Sequence, residues 1–260
     1  GLEHIGPSAF QSKQITEITV PSTLKTIGNQ AFADSRLCSI VFNEGLESNG
    51  SSAFSSAKLT SIDLPAGVIF GEEVFSYCRD LTSVTLSEGI NKIEMGMFSN
   101  CDSLQSIILP STVKTIDDYA FRGCTALDEI VLPEGVTTVG NYAFAKAAFD
   151  KLVIPSTVNS VGSAIIDEAN INTLVLNTNT TLSYRNLNNG TCYVKEIVIG
   201  ADLSYLDTRD SIFQRGFMSV ETITFSEGVT IVPSGICKNI GFPMSIKTIN
   251  FSSTIHTIKD

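Results

Sequence analysis

Apolar and polar residues alternate in short stretches that recur along the whole chain. Between Leu81 and Leu86, for example, Val84 is the only apolar residue, and polar residues separate the three. Alternation of this kind predicts a β-strand with one buried face. Equivalent stretches begin at Ile15, Leu37, Leu59, Leu81, Leu104, Leu127, Phe149, Ile171, Val194, Val220 and Ile246. Their spacing is 22 or 23 residues over most of the chain and 26 at its end, which indicates a repeated supersecondary unit.

A large apolar side chain marks a second fixed position in each repeat. It is found at Phe10, Phe32, Phe54, Phe75, Phe98, Phe121, Phe144 and Ile166. Four residues earlier stand Gly6, Gly28, Gly50, Gly71, Glu94, Asp117, Gly140 and Gly162. The recurrent glycine suggests a bend that needs either a positive φ or a close approach of the backbone. We expect a short helical turn after it, carrying an Ala-Phe pair.

A proline follows many of the predicted strands, at Pro21, Pro65, Pro110, Pro133 and Pro155. Proline lacks the amide that a strand ladder needs, so it ends the strand. A unit of about 23 residues cannot bury its apolar side alone, whereas stacked units share one core. We therefore predict a right-handed α/β-type solenoid, with parallel strands on one face and turns with short helical or 3-10 segments on the other. Residues 1–260 form a single domain in this interpretation, with regular repeats over 1–176 and degenerate, longer repeats over 177–260.

The segment 104–124 has the sequence LQSIILPSTVKTIDDYAFRGC. It resembles the repeat of the bacterial BspA-like leucine-rich-repeat surface proteins, and the resemblance covers residues 1 to about 176. After Leu176 the proline and glycine positions and the Ala-Phe pair are lost. The resemblance implies a leucine-rich-repeat solenoid at the bacterial cell surface, with roles in adhesion to host matrix proteins. It carries over no catalytic residue.

Composition and charge narrow the function further. The hydrophobic content of 43% and the mean hydropathy of +0.20 are typical of a folded chain. Apolar stretches are far shorter than the ~18 residues of a membrane span. A formal charge of −10, without a cluster of Lys or Arg, argues against nucleic acid as a partner.

The start carries no signal sequence, and the chain begins and stops within a repeat. We therefore expect a fragment whose ends, with Phe251 and Ile255, could stack on another copy.

Catalytic and metal-binding motifs are missing from the sequence. The two histidines, His4 and His256, stand at opposite ends of the predicted stack, where neither could serve a common catalytic group. Adjacent acids such as Glu72 and Glu73 are ordinary at a solvent turn.

Three cysteines share one position of the repeat, three residues after the marker phenylalanine, and the other three share none. The first group is Cys78, Cys101 and Cys124, and the second is Cys38, Cys192 and Cys237. We expect the first group to be buried free thiols, because side chains parallel along a stack do not suit disulfide torsions. We predict no cofactor and no metal.

An apolar column on the open face of the strands is the first candidate binding site. Five consecutive repeats place β-branched aliphatic residues there: Ile108, Val131, Val153, Val175 and Val198. Glu129, Lys151, Thr173 and Glu196 stand beside them as a polar rim. An apolar stripe with a polar border is a reasonable contact surface. The alternative is that β-branched residues merely suit exposed strands, or that an outer element covers them.

Tyr119 and Tyr142 form the second candidate. They are one repeat apart, two residues before the marker phenylalanine, with Tyr77 expected nearby. Stacked tyrosines can contact sugar rings or protein anchors, although they can also be packing residues. Because the chain has no tryptophan, sugar binding is the weaker option.

These observations favour a noncatalytic, extracellular or surface-attached module that binds a protein partner. A structural spacer in a larger surface protein and a carbohydrate-binding module remain the alternatives. The oligomeric state is open.

Overall fold

Successive windings of the chain stack so that equivalent residues lie above one another. The computed structural model describes residues 1–178, 180, 182–200, 216–232 and 246–258. Each complete winding has three sides. One contributes to a parallel main sheet of ten strands, one carries a two-residue strand, and one is a run of turns that bears the marker phenylalanine. Neighbouring windings are joined by parallel ladders on the strand sides.

The strands have these bounds. The main sheet consists of β4 (Ser61–Leu64), β5 (Ser83–Leu86), β7 (Ser106–Ile108), β9 (Glu129–Val131), β11 (Ala148–Ile154), β13 (Asn170–Leu176), β14 (Cys192–Ile199), β15 (Phe217–Met218), β16 (Thr222–Phe225) and β18 (Thr248–Asn250). The short-strand side consists of β1 (His4–Ile5), β2 (Thr26–Ile27), β3 (Ser48–Asn49), β6 (Lys92–Ile93), β8 (Thr115–Ile116), β10 (Thr138–Val139), β12 (Ser160–Val161), β17 (Ile231–Val232) and β19 (Thr257–Ile258). The first two windings contribute to the main-sheet side only through a bridge between Glu17 and Ser39.

The core is one column of side chains that runs along the stack. The marker phenylalanines lie face to face, with ring centroids 6.0 Å apart for Phe75 and Phe98 and 5.7 Å apart for Phe98 and Phe121. Inward residues of the strands join the same buried cluster, which extends from Ile5 to Val232. The predicted stacking of equivalent apolar residues is therefore confirmed, and so is the leucine-rich-repeat solenoid class with parallel strands on one face.

The turn side differs from the prediction of short helical segments. In the described part of the chain the sole helix is α1 (Tyr184–Leu187). Elsewhere, the residues two positions before and two positions after each marker phenylalanine have φ near +60°, as Tyr119 and Gly123 do on either side of Phe121. Paired left-handed residues interrupt a helix and turn the amides toward the next winding, so that Phe98 N–H donates to the Ala120 carbonyl at 3.0 Å. Amides that donate to the next winding therefore alternate with amides that close a turn within the winding, as Ala120 N–H does to the Asp117 carbonyl at 3.3 Å.

The recurrent glycine serves close approach and not positive φ. None of these six glycines has a positive φ. A Cβ atom on Gly71, however, would lie 2.4 Å from the backbone of Gly50 and Ser51, and one on Gly162 would lie 2.5 Å from Asn141 N. Glycine is needed there because a side chain would force adjacent windings apart.

Acidic residues replace this glycine in two windings, at Glu94 and Asp117. Their carboxylates lie 2.6 and 2.7 Å from Nζ of Lys92. Burial opposes the charge on Lys92, but the hydrogen bonds to Asp117 and Glu94 outweigh it and raise the pKa of the amine above its ordinary value. The two acidic side chains are thus held by a cation from the short-strand side.

One winding is shorter than the others, and the short-strand side is interrupted there. The separation from Phe54 to Phe75 is 21 residues, against 22 or 23 between the other markers. Ile69 still forms a bridge to Ser48, but among the described strands no ladder joins it to β6. A cleft of about 280 Å³ lies between residues 67–70 and residues 89–94, and the side chain of Ile69 is 72% exposed beside it.

Candidate interaction surface

The open face of the main sheet carries the predicted apolar column. Its residues are in register: Val131 pairs with Val153, Val153 with Val175, and Val175 with Val198. Strand residues on either side of each member are buried, as Ile130 and Leu132 are beside Val131. The period-two pattern of the sequence therefore directs the five aliphatic side chains away from the core.

Exposure is uneven along this column. Ile108 is 82% exposed and Val131 is 61% exposed, whereas Val153, Val175 and Val198 are half-buried. The half-buried members lie on long, tightly paired strands, where each side chain is covered by its equivalents in both neighbouring windings. The most accessible apolar surface of the column is thus the pair Ile108 and Val131.

A cleft separates the strands beneath these two residues. The ladder between β7 and β9 is reduced to one registered pair, Ser106 with Glu129. The cleft has a volume of about 360 Å³, and its lining is mainly apolar. It is lined by Gln105, Ser106, Ile107, Ile108, Leu109, Asp128, Glu129, Val131 and Pro133. Pro133 has no amide to donate to the preceding winding, but the ladders that end at Pro110 and Pro155 keep three registered pairs, so proline alone does not explain the early stop.

A polar row borders the apolar column. Glu129 pairs in register with Lys151, Lys151 with Thr173, and Thr173 with Glu196. Glu129 and Lys151 are exposed, and Glu196 is half-buried and accepts a hydrogen bond from Oγ1 of Thr224 at 3.0 Å. Charges of both signs therefore stand at the edge of the apolar patch, where they remain hydrated.

The tyrosine pair lies on the turn side, away from the main sheet. The rings of Tyr119 and Tyr142 are parallel, with centroids 5.4 Å apart, and Tyr119 is 39% exposed. Nδ2 of Asn189 donates a hydrogen bond to the Tyr142 hydroxyl at 3.4 Å. Tyr77 does not extend this column, because it follows its marker phenylalanine by two residues instead of preceding it.

The three in-phase cysteines are buried free thiols, as predicted. Each Sγ donates a hydrogen bond of 3.2 Å to the carbonyl of a marker phenylalanine, as Cys101 does to Phe75. Burial raises the pKa of Cys78 and of Cys124 to about 12, and it raises that of Cys101 well above the ordinary value. Cys38 is exposed, Cys192 is buried, and Cys237 lies outside the described residues.

Other reactive side chains are dispersed. His4 and His256 lie in the first and last windings, where they contact Thr26 and Thr257. No group of three or more His, Cys, Asp or Glu side chains in the described ranges could hold a metal ion. No helix within those ranges is long and apolar enough to cross a membrane.

Sequence reasoning found the column but missed the cleft within it. Pro110 and Pro133 give no specific signal for the cleft, because Pro155 follows the next strand, where the ladder keeps three pairs. Val41 occupies the same outward position in the second winding and is 81% exposed.

Comparisons with known proteins agree with this architecture. A family model described as BspA type leucine rich repeat region matches residues 3–127 and 93–215, with six copies of the repeat. No curated protein matches the sequence. A leucine-rich repeat protein of Bacteroides ovatus superposes with a TM-score of 0.66 at 24% identity; the alignment covers 99% of this chain and 66% of that protein.

Two further structures are similar. A leucine-rich repeat protein of Eubacterium ventriosum has a TM-score of 0.52 at 21% identity, with 98% of this chain and 80% of that one covered. The leucine rich repeat protein of T. pallidum has a TM-score of 0.50 at 30% identity, with 56% of this chain and 70% of that one covered. Repeat proteins of this kind are generally noncatalytic, and their repeats generally mediate protein interactions. With its matched repeats, marker phenylalanines and parallel main sheet, the chain belongs to the BspA-type leucine-rich-repeat family.

Proposed function

We propose that this chain is a noncatalytic interaction module of a bacterial surface protein, and that it binds a protein partner through the open face of its main sheet. The observation that carries the proposal is the exposed pair Ile108 and Val131 above the apolar cleft between β7 and β9. Exposed apolar patches with polar borders are characteristic of protein contact sites. Family membership supports the surface location and the interaction role.

The proposed binding surface comprises an apolar centre and a charged edge. The centre is Ile108, Val131, Val153, Val175 and Val198, and the edge is Glu129, Lys151 and Glu196. The apolar centre supplies the binding free energy when water leaves it. The charged edge favours partners of complementary charge.

The test is a binding screen against purified extracellular-matrix proteins by biolayer interferometry. The double variant Ile108→Lys, Val131→Lys places two charges in the patch, and we expect it to lose at least roughly tenfold in affinity, since buried unpaired charges are costly at an interface. The matched control is Thr19→Lys, Val41→Lys, which adds the same charges to the same column in the first two windings. A folded Ile108→Lys, Val131→Lys variant that binds as well as the unmodified chain would exclude this surface. Absence of any partner for the unmodified chain would favour the structural-spacer alternative.

A further inference from the structure

A second contact site follows from the column that contains the tyrosine pair. Glu73, Gly96, Tyr119 and Tyr142 occupy the same position in four consecutive windings, two residues before the marker phenylalanine. Their φ angles are 55°, 61°, 59° and 55°. Each donates its amide to the equivalent carbonyl of the next winding, at distances of 2.7 to 3.0 Å. Identical backbone conformations direct the side chains of this column the same way.

One face of the Tyr119 ring is covered, and the other face is directed toward the preceding winding. Tyr142 stacks on the first face. The winding on the other side contributes Gly96, which has no side chain to cover the second face. The tyrosine pair therefore ends at Tyr119, and the column continues only with the side chain of Glu73.

The side chain of Glu73 lies against Gly96, in the space that a side chain at position 96 would occupy. Its Cγ lies 2.9 Å from the position a Cβ would take on Gly96. Gly96 is buried as a result, while Glu73 itself is exposed. The acidic side chain and the ring face of Tyr119 that Tyr142 leaves uncovered thus lie on either side of Gly96 in one column, and we call the surface between them the recess.

Both walls of this recess favour positive charge. The face of an aromatic ring carries the negative part of its quadrupole, and Glu73 carries a carboxylate. Among the described residues, Glu73 makes no ion pair with a lysine or arginine of this chain. Lys92, from the adjacent short-strand side, is held by Glu94 and Asp117.

We propose that this recess binds the guanidinium group of an arginine from a partner protein, stacked on Tyr119 and paired with Glu73. A planar guanidinium can stack on the ring and bind a carboxylate at the same time, whereas an ammonium group cannot stack. The net charge of −10 favours the approach of basic partners over long distances. This contact lies on a different side of the winding from the main sheet, so it does not rest on the function proposed above.

The experiment is an NMR titration of the full chain at low ionic strength with the peptide acetyl-Gly-Arg-Arg-Gly-amide. We expect saturable shifts centred on the amides of Glu73, Gly96 and Tyr119, and at least threefold weaker binding of the matched lysine peptide. Tyr119→Ala abolishes the shifts, and Glu73→Gln weakens binding by about two- to fivefold.

Two glycine variants provide a matched pair. Gly96→Asn fills the recess and displaces Glu73, so that binding is lost. Gly123→Asn places the same residue at another left-handed position, with φ of +76°, where a Cβ would meet the side chain of Asn100, with Oδ1 at 2.6 Å and Cγ at 3.3 Å. We expect binding to be kept in this variant. Because Tyr119→Ala tests the same recess on the exposed surface, it decides the question if Gly96→Asn fails to fold.

Three results would overturn the proposal. They are equal affinity for the arginine and lysine peptides, binding that persists in folded Tyr119→Ala, and shifts at Tyr119 with maltotriose but not with the arginine peptide. The last result would assign the tyrosine pair to carbohydrate.

Discussion

The two halves of the main sheet are built differently, although one core runs through both. Strands β5, β7 and β9 are three or four residues long, whereas β11 and β13 have seven residues and β14 has eight. The length of the strands does not follow the regularity of the sequence motif. The longest strands lie on either side of Leu176, where the motif is lost, whereas β16 and β18, farther along the chain, again have four and three residues.

The residue that follows each strand changes the hydrogen bonding at the carboxyl end of the ladder. Asn177, Gly200 and Ser226 stand where earlier windings have proline, and their amides donate to Ile154, Leu176 and Ile199 at 2.9 to 3.0 Å. Pro110, Pro133 and Pro155 cannot make this bond. Proline thus removes one hydrogen bond at the carboxyl end of the ladder, and its loss restores one. It does not set strand length, because β11 has seven residues before Pro155, whereas the short strand β5 is followed by Ser87, whose amide donates to Leu64 at 3.1 Å. The additional residues of β11 and β13 lie at their amino ends, where Ala148 pairs with Asn170.

The largest expected effect comes from the phenylalanine column of the regular windings. Phe98→Ala removes a fully buried ring that stacks on Phe75 and Phe121, and we expect it to lower the free energy of unfolding by about 3 to 5 kcal/mol. Urea denaturation followed by circular dichroism measures the change. The comparison variant is Ile166→Val, at the same position after the column ends, for which a cost of about 0.5 to 1.5 kcal/mol is expected. An equal loss of unfolding free energy in the two variants would show that the stacked rings contribute no more to stability than an aliphatic residue at the same position.

The buried thiols make the regular windings sensitive to alkaline pH. The pKa values of Cys78 and Cys124 are raised to about 12 by burial, whereas an unfolded thiol ionises near pH 8.5. Above that pH the unfolded chain loses protons that the folded chain keeps, so stability falls as pH rises toward the folded pKa. One pH unit above the unfolded value, each thiol should cost about 1 kcal/mol, and three together roughly 3 to 4 kcal/mol.

Thermal unfolding between pH 8 and 9.5 measures this dependence. The triple variant with Ala at positions 78, 101 and 124 should show a flatter profile than the unmodified chain. Cys38→Ala, at an exposed thiol, should leave the slope unchanged. A triple variant with the original slope would assign the pH dependence to other groups.

A proline placed after β13 should weaken the carboxyl end of the ladder between β11 and β13. Asn177→Pro removes the donor to the buried strand carbonyl of Ile154, and a cost of about 1 to 3 kcal/mol is expected for the unpaired acceptor. Chemical denaturation gives the stability, and hydrogen exchange shows whether protection falls at the ends of β11 and β13. Unchanged protection there would mean that the hydrogen bond from Asn177 to Ile154 does not support the end of the ladder.

The smallest effect is expected on the exposed column. Ile108→Lys should change stability by less than about 0.5 kcal/mol, since the side chain is already in water. Val175→Lys, at a half-buried member on a long strand, should cost more. Thermal unfolding of the two single variants compares the positions directly, and a large loss for Ile108→Lys would show that this residue supports the fold.

Much of this architecture could be predicted from the sequence because the repeat is short and strict. Period-two alternation placed Val131 and its equivalents on the open face, and spacing placed Phe98 between Phe75 and Phe121. The turn side could not be read in the same way. A recurrent glycine followed by Ala-Phe is compatible with a helical turn, but the left-handed residues that exclude one include Ser52, Glu73 and Tyr119, whose side chains give no signal of positive φ.

The sequence by itself determined the stack, because identical apolar residues at a fixed spacing can share a dry core only when the windings lie in register. Tertiary structure alone decided how closely the windings approach and which outward side chains stay exposed. Those properties depend on hydrogen bonds and contacts between residues 21 to 26 positions apart, such as the single pair that remains between β7 and β9 or the lean of Glu73 across Gly96. Exposure of Ile108 and burial around Val175 follow from these contacts between windings and not from the residue types, which are alike.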